Sequence, residues 1–383
     1  MAKSHRTILS AMLGNLFLFG LILSLFGPSN LKIMEEFGAN FAYVGIAVSA
    51  QSLGAMLSFF TGGLSDKYGS YSTTKWCLFG LGLTTVFMGL SPNIIFLFVS
   101  SFFVGITFGT FNASFNQVIM GLYPRSSTKM LNIVLVSFGI GITIGPTTVA
   151  AIISYFNSWR IGYVLFGSIM MAFTLLQFSF TMVDRKEPTI SSGGVVSNHL
   201  FLMLFVALFF FSILTTGITS WLPTYIVKAN KASYLEAGMI LSSFWAGVTL
   251  IRLFSWKLTD RLGEEKSLAV FCFLGFIIGS LSIFVTGFLP NAIVWGSMAM
   301  SHALVYPLTI TIAYLRYPNS PGKRIGRLLS LSTIGSLIAA PLIGTISNVV
   351  NLNAATLVIP LSSLVVSLVY FWLDCSNNNH KIV

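Results

Sequence analysis

Arg252 lies within a long apolar run, eight residues before Asp260. A guanidinium there is costly, at about 2.5–3.5 kcal/mol on insertion scales, so it must face a partner or a wet cavity. Its planar fork of donors suits a carboxylate. Trp245, Thr249, Arg252 and Trp256 follow helical spacing and share one face, where an aromatic ring could flank a bound solute. His302 falls near the middle of another apolar run, with Tyr306 and Thr309 at i+4 and i+7. An imidazole titrates near neutral pH and can take up or release a proton, or rest as a bonded neutral ring. Asn112 and Asn116 are i, i+4, below Gly105 and Gly109. Two amides on one face in lipid need partners, which predicts that they point inward. Asn15 and Gln51 are further embedded amides that either line a cavity or bridge helices.

The elements that position these residues follow from composition. Hydrophobic residues make up 55% of 383 residues and charged residues 8%, against about 25% charged in a soluble domain. Mean hydropathy is +0.86. Lipid must cover most of the exterior. The net charge of +11 is spread in small groups between apolar runs. It therefore reads as membrane topology, with no nucleic-acid partner. The three cysteines, Cys77, Cys272 and Cys375, have no metal-like spacing and read as small packing residues. No cofactor or metal is expected. The basic start, Met1 to Arg6, precedes a long apolar run and is expected to be retained rather than cleaved.

A spanning helix needs about 20 apolar residues. The runs predict twelve spans: 7–28, 41–64, 74–92, 94–121, 130–155, 161–183, 200–226, 235–257, 267–289, 291–315, 326–350 and 353–373. Three longer runs divide at Pro92-Asn93, Pro290-Asn291 and Asn351-Leu352-Asn353. With the N-terminus inside, 16 of the 21 Lys and Arg residues fall in inside segments and four outside, Arg252 being the remaining one. Both termini are expected in the cytoplasm, in a plasma or inner membrane. The polar stretch 184–199 reads as a cytoplasmic linker between a six-helix bundle at 1–183 and another at 200–383.

The halves repeat. Asp66 maps to Asp260 at an offset of 194, Pro28 to Pro223 at 195, Tyr123-Pro124 to Tyr317-Pro318 at 194, Pro146 to Pro341 at 195 and Pro92-Asn93 to Pro290-Asn291 at 198. Two parallel six-span repeats are a secondary-transporter organisation.

These motifs resemble the major facilitator superfamily. After span 2 that family carries Gly-x-Leu-x-Asp-Arg/Lys-x-Gly followed by two basic residues. Gly62, Leu64, Asp66, Lys67 and Gly69 match, and Ser70 and Tyr71 replace the basic pair. The copy after span 8 keeps Leu258, Asp260, Arg261 and Gly263, with Trp256 at the first glycine's place. Gly141, Gly145 and Pro146 resemble the family's Gly-x-x-x-Gly-Pro signature of span 5. Gly105, Asn112 and Asn116 resemble span 4 of the fucose–proton symporter branch, where an acid stands in place of Asn112. The resemblance implies an all-helical membrane fold of two six-helix pseudo-repeats, working by alternating access around a midplane site. It implies gating parts for Gly62, Asp66, Gly69, Gly145, Pro146, Asp260 and Arg261.

All ten acids lie at span ends or in loops. A proton, if one is coupled, must ride on another group, and His302 is the candidate. The leading expectation is a monomeric carrier of a small organic anion, with Arg252, His302, Tyr306, Asn112, Asn116, Trp245, Gln51 and Asn15 as contacts and a proton as a second partner. A neutral sugar or polyol is the runner-up, resting on the amides and aromatics. Drug efflux comes third, favoured by span 5 and opposed by the lack of an acid in span 1. A non-transporting receptor usually adds a cytoplasmic domain, which the predicted loops leave no room for. An enzyme would need a nucleophile–base pair or acid cluster in the spans, and none is there.

Overall fold

The computed structural model describes residues 2–57, 63–123, 127–179, 198–316 and 321–380. Fifteen α-helices follow one another within these residues. The first unit holds α1 (Ala2–Leu23), α2 (Phe26–Phe37), α3 (Phe41–Leu57), α4 (Gly63–Tyr68), α5 (Ser70–Gly89), α6 (Ile94–Leu122), α7 (Ser127–Phe156) and α8 (Arg160–Leu175). The second holds α9 (Asn198–Asn230), α10 (Tyr234–Leu262), α11 (Glu264–Leu281), α12 (Phe288–Arg316), α13 (Pro321–Val349), α14 (Leu352–Thr356) and α15 (Val358–His380). The chain divides into compact units at Met1–Pro188 and Thr189–Val383.

Nine segments among the described residues are long and apolar enough to cross a membrane, and α3 and α8 are shorter apolar helices. With α5, which opens on the polar run Ser70–Lys75, they make twelve spans in two six-helix repeats. Their starts are fixed locally. Asn93 caps α6 by accepting from Phe96 N at 2.9 Å. Asn351 caps α14 through Ala354 N at 2.7 Å. Ser233 and Glu236 form a reciprocal capping box on α10.

Several spans differ from expectation. Span 1 breaks between α1 and α2 at Ser24 and Leu25 and runs on to Phe37. The helix of span 6 stops at Leu175. The turn before span 10 lies at Val285–Gly287, not at Pro290-Asn291. Pro290 belongs to the first turn of α12, where a missing N–H breaks no helical bond. Asn291 reaches back to Gly287 O at 2.8 Å. The 198-residue landmark thus pairs a capping asparagine with one inside a helix. The true register is closer, since α5 and α11, α6 and α12, and α7 and α13 all begin 194 residues apart.

Each unit packs by the same scheme. In the first, α1 lies on α7 and α8, α3 on α6, and α5 on α6 and α8. In the second, α9 lies on α13 and α15, α10 on α12, and α11 on α12 and α15. Glycines let these backbones touch. A Cβ on Gly141 would collide with Phe17 O, and one on Gly335 with Phe209 O. Gly54 meets Phe102 O and Gly105 meets Gln51 O in the same way. In lipid, such close packing takes over from the hydrophobic effect in holding helices together.

Candidate functional site

The second unit gathers four of the expected residues on one helix seam. Pro307 interrupts α12 and has no N–H to give the carbonyl four residues earlier, that of Ala303. Arg252 of α10 supplies the donor, with Nε 3.4 Å from Ala303 O. The bond ties the guanidinium to the turn that carries His302 and Tyr306, and it interacts electrostatically with both. Arg252 is exposed, and Tyr306 is 44% exposed.

His302 is only 3% exposed. Three rings enclose it, with centroids at 4.8 Å for Phe211 of α9, 5.3 Å for Phe244 and 5.2 Å for Trp245 of α10. Among the described residues, neither imidazole nitrogen has a hydrogen-bond partner, nor does Nε1 of Trp245, which is 6% exposed. Thr249 back-bonds to Trp245 O at 3.0 Å, within its own helix. Thr309 bonds the Tyr370 hydroxyl of α15.

The other expected contacts lie in the first unit. Asn15 and Gln177 are buried and exchange both amide bonds, each at 2.9 Å. Of the two readings left open for Asn15, the structure provides a bridge, from α1 to the turn after α8. Gln51 is half-buried and lines a small gap with Phe26, Thr85, Met88 and Tyr163. Asn112, expected to point inward with Asn116, is exposed, as Arg252 is. Asn116 Nδ2 donates to Asn112 O at 2.7 Å, so its own helix supplies the partner that lipid cannot.

Among the residues given gating parts, Gly69 joins α4 to α5 with φ 90° and ψ 144°. Gly263 joins α10 to α11 with φ 81° and ψ 164°. Gly145 lies against Ser24 so closely that a Cβ would strike its Oγ. Pro146 is buried within α7. The break in span 1 therefore rests on the Gly145-Pro146 step. Gly62 and the side chains of Asp66, Trp256, Asp260 and Arg261 lie outside the described residues.

Sequence reasoning missed Phe211, Phe244 and Gln177, none of which carries a motif. It also missed a clamp in the first unit. Glu36 accepts from Trp159 Nε1 at 2.6 Å and from Arg160 NH2 at 2.6 Å, while Arg160 NH1 donates to Gly89 O at 2.9 Å. Pro307 was the available signal for the Arg252 contact, because a proline inside a helix always frees the carbonyl four residues back.

Comparison with known proteins agrees with this architecture. A Protein TsgA homolog of Buchnera aphidicola subsp. Baizongia pistaciae is 23% identical over 305 residues, covering 77% of this chain and 76% of that protein. Multidrug resistance protein MdtG of Escherichia coli (strain SMS-3-5 / SECEC) is 28% identical over 280 residues, covering 69% and 68%. The crystal structure of a bacterial homolog to the human lysosomal transporter Spinster, inward-facing and occupied, superposes with a TM-score of 0.79 at 14% identity, over 96% of both chains. The family model described as Major Facilitator Superfamily matches residues 12–319 and 200–381. The chain is a multi-pass membrane transporter and belongs to the Major Facilitator Superfamily.

Proposed function

We propose that this transporter carries a small organic anion by alternating access, with Arg252 as the carboxylate anchor. The observation behind this is the guanidinium pinned at the Ala303 carbonyl beside Tyr306. It is exposed, on a helix seam whose spans carry acids only at their ends, away from Arg252. Tyr306 offers the anion a hydroxyl. His302 is the proton site of a symport cycle, since the spans carry carboxylates only at their ends. Asp66, Asp260, Arg261 and the glycines and proline near them act in gating. Both termini lie in the cytoplasm, in the plasma or inner membrane, and the carrier works as a monomer.

The test is a thermal-shift screen of purified protein against carboxylates, sugars, nucleosides and amphipathic drugs, with Arg252→Ala beside the wild type. A specific binder raises the melting temperature by mass action. Stabilisation of wild type but not of Arg252→Ala by carboxylates supports the anchor. Equal stabilisation of both by sugars overturns it and favours a polyol carrier.

Drug efflux is the second reading, supported by the likeness to MdtG. The aromatic enclosure of His302 also suits an apolar solute. It requires stabilisation by amphipathic drugs that survives Arg252→Ala.

A further inference from the structure

We propose that the solute bears a hydrogen-bonding oxygen next to its carboxylate, and that Trp245 and His302 recognise this oxygen. The substrate class is then a hydroxy- or keto-carboxylate, not an unsubstituted aliphatic acid. This rests on the anion reading above and adds a second recognition element to it.

Buried polar atoms in folded proteins are nearly all paired, and exceptions require an explanation. Other unpaired side-chain atoms are spread through both units. Here three ring nitrogens fall on two rings in contact, His302 and Trp245, with centroids 5.2 Å apart. Among the described residues, none bonds these nitrogens. Phe211 and Phe244 close the other sides, and neither has a polar atom. Closing this enclosure therefore leaves an indole N–H and both imidazole nitrogens without a partner. A ligand that supplies one recovers the lost bond.

The position of the enclosure makes that ligand the anion itself. Ala303, whose carbonyl holds Arg252, is the next residue after His302. Trp245 precedes Arg252 by seven residues, two turns along the same face of α10. A compact acid anchored at Arg252 has its neighbouring carbon directed along this seam. An oxygen on that carbon accepts from Trp245 Nε1 and bonds His302, which serves as donor or acceptor. The indole turns aside to admit it. An aliphatic acid lacking the oxygen meets the same anchor but leaves the nitrogens unpaired, which is how polar sites reject apolar analogues.

The experiment compares propanoate with 2-hydroxypropanoate, and 3-phenylpropanoate with its 2-hydroxy counterpart, binding to wild type, Trp245→Phe and His302→Gln. Ligand-free melting temperatures show that each variant is folded. In wild type the hydroxylated member of each pair binds about tenfold tighter. Trp245→Phe keeps the ring and removes the N–H, so it brings the ratio towards one while propanoate binding persists. His302→Gln narrows the ratio less, because the amide replaces part of the bonding. Equal binding within the wild-type pairs, or a ratio unchanged in Trp245→Phe, overturns this proposal and leaves the anion reading standing. If no member binds wild type at all, the anion reading fails and takes this one with it.

Discussion

Arg252 uses the carbonyl that Pro307 leaves vacant. A proline in the middle of a spanning helix costs one backbone bond, and here a cation from the neighbouring helix replaces it. Pro307→Ala returns an N–H to position 307, which competes with Arg252 for Ala303 O. The expected result is a protein at least as heat-stable as wild type, with anion affinity reduced up to about tenfold as the guanidinium loses its tether. Loss of stability together with unchanged affinity would show that the proline serves only packing.

Gly69 and Gly263 take the same backbone conformation at equivalent places, with φ of 90° and 81°. That region is essentially confined to glycine and costs other residues about 1–3 kcal/mol. Nothing lies within 4 Å of a Cβ built on Gly263, so the penalty there is conformational and not steric. Gly263→Ala, Gly263→Ser and Gly263→Asn should lower the melting temperature by similar amounts. A graded loss following side-chain volume would refute this.

Asn15 and Gln177 make a closed amide pair in the core of the first unit. Asn15→Ala strands the Gln177 amide and should destabilise by about 1–3 kcal/mol. The double change Asn15→Leu with Gln177→Leu should be milder than the sum of its single changes, by a double-mutant cycle on melting. Solute affinity should follow neither variant if the pair acts only as a bridge.

The Glu36–Arg160–Trp159 clamp joins the end of α2, the end of α5 and the start of α8. Arg160→Lys loses the fork that reaches Glu36 and Gly89 O together. The side chains are 28% and 43% exposed, so the effect should be modest, about 1 kcal/mol, and should shrink in high salt. Melting curves at two ionic strengths read it directly.

Much of this was legible in the sequence. Twelve apolar runs and a near-constant offset between halves specify twelve spans in two repeats, because lipid leaves the backbone few alternatives to the helix. Arg252, Trp245, His302 and Tyr306 were found by helical spacing alone, since a polar group in an apolar run stands out. Their closure around His302 was not, because Phe211 and Phe244 look like any lipid-facing phenylalanine. The Asn15 bridge has its other half 162 residues away, in the turn that follows α8 and carries no signature. Asn116, for its part, bonds within its own helix. An i−4 carbonyl can satisfy an amide, so the side chain need not seek another helix. At Pro290 the turn chemistry was read correctly but assigned to the wrong side of the proline.

The glycine contacts have a mechanical consequence. Where Gly54 and Gly105 lock α3 to α6, and Gly20 and Gly141 lock α1 to α7, carbonyl oxygens sit in notches of the opposite backbone. Sliding one helix along the other would drive those oxygens out of their notches into flanking side chains. Each pair therefore behaves as a double beam, stiff against shear. Compliance is left to the steps where the helical ladder is already cut, at Ser24–Leu25, Pro146, Pro223, Pro307 and Pro341. Bending in the working cycle should concentrate there, and one of those joints, at Pro307, holds Arg252 through the Ala303 carbonyl.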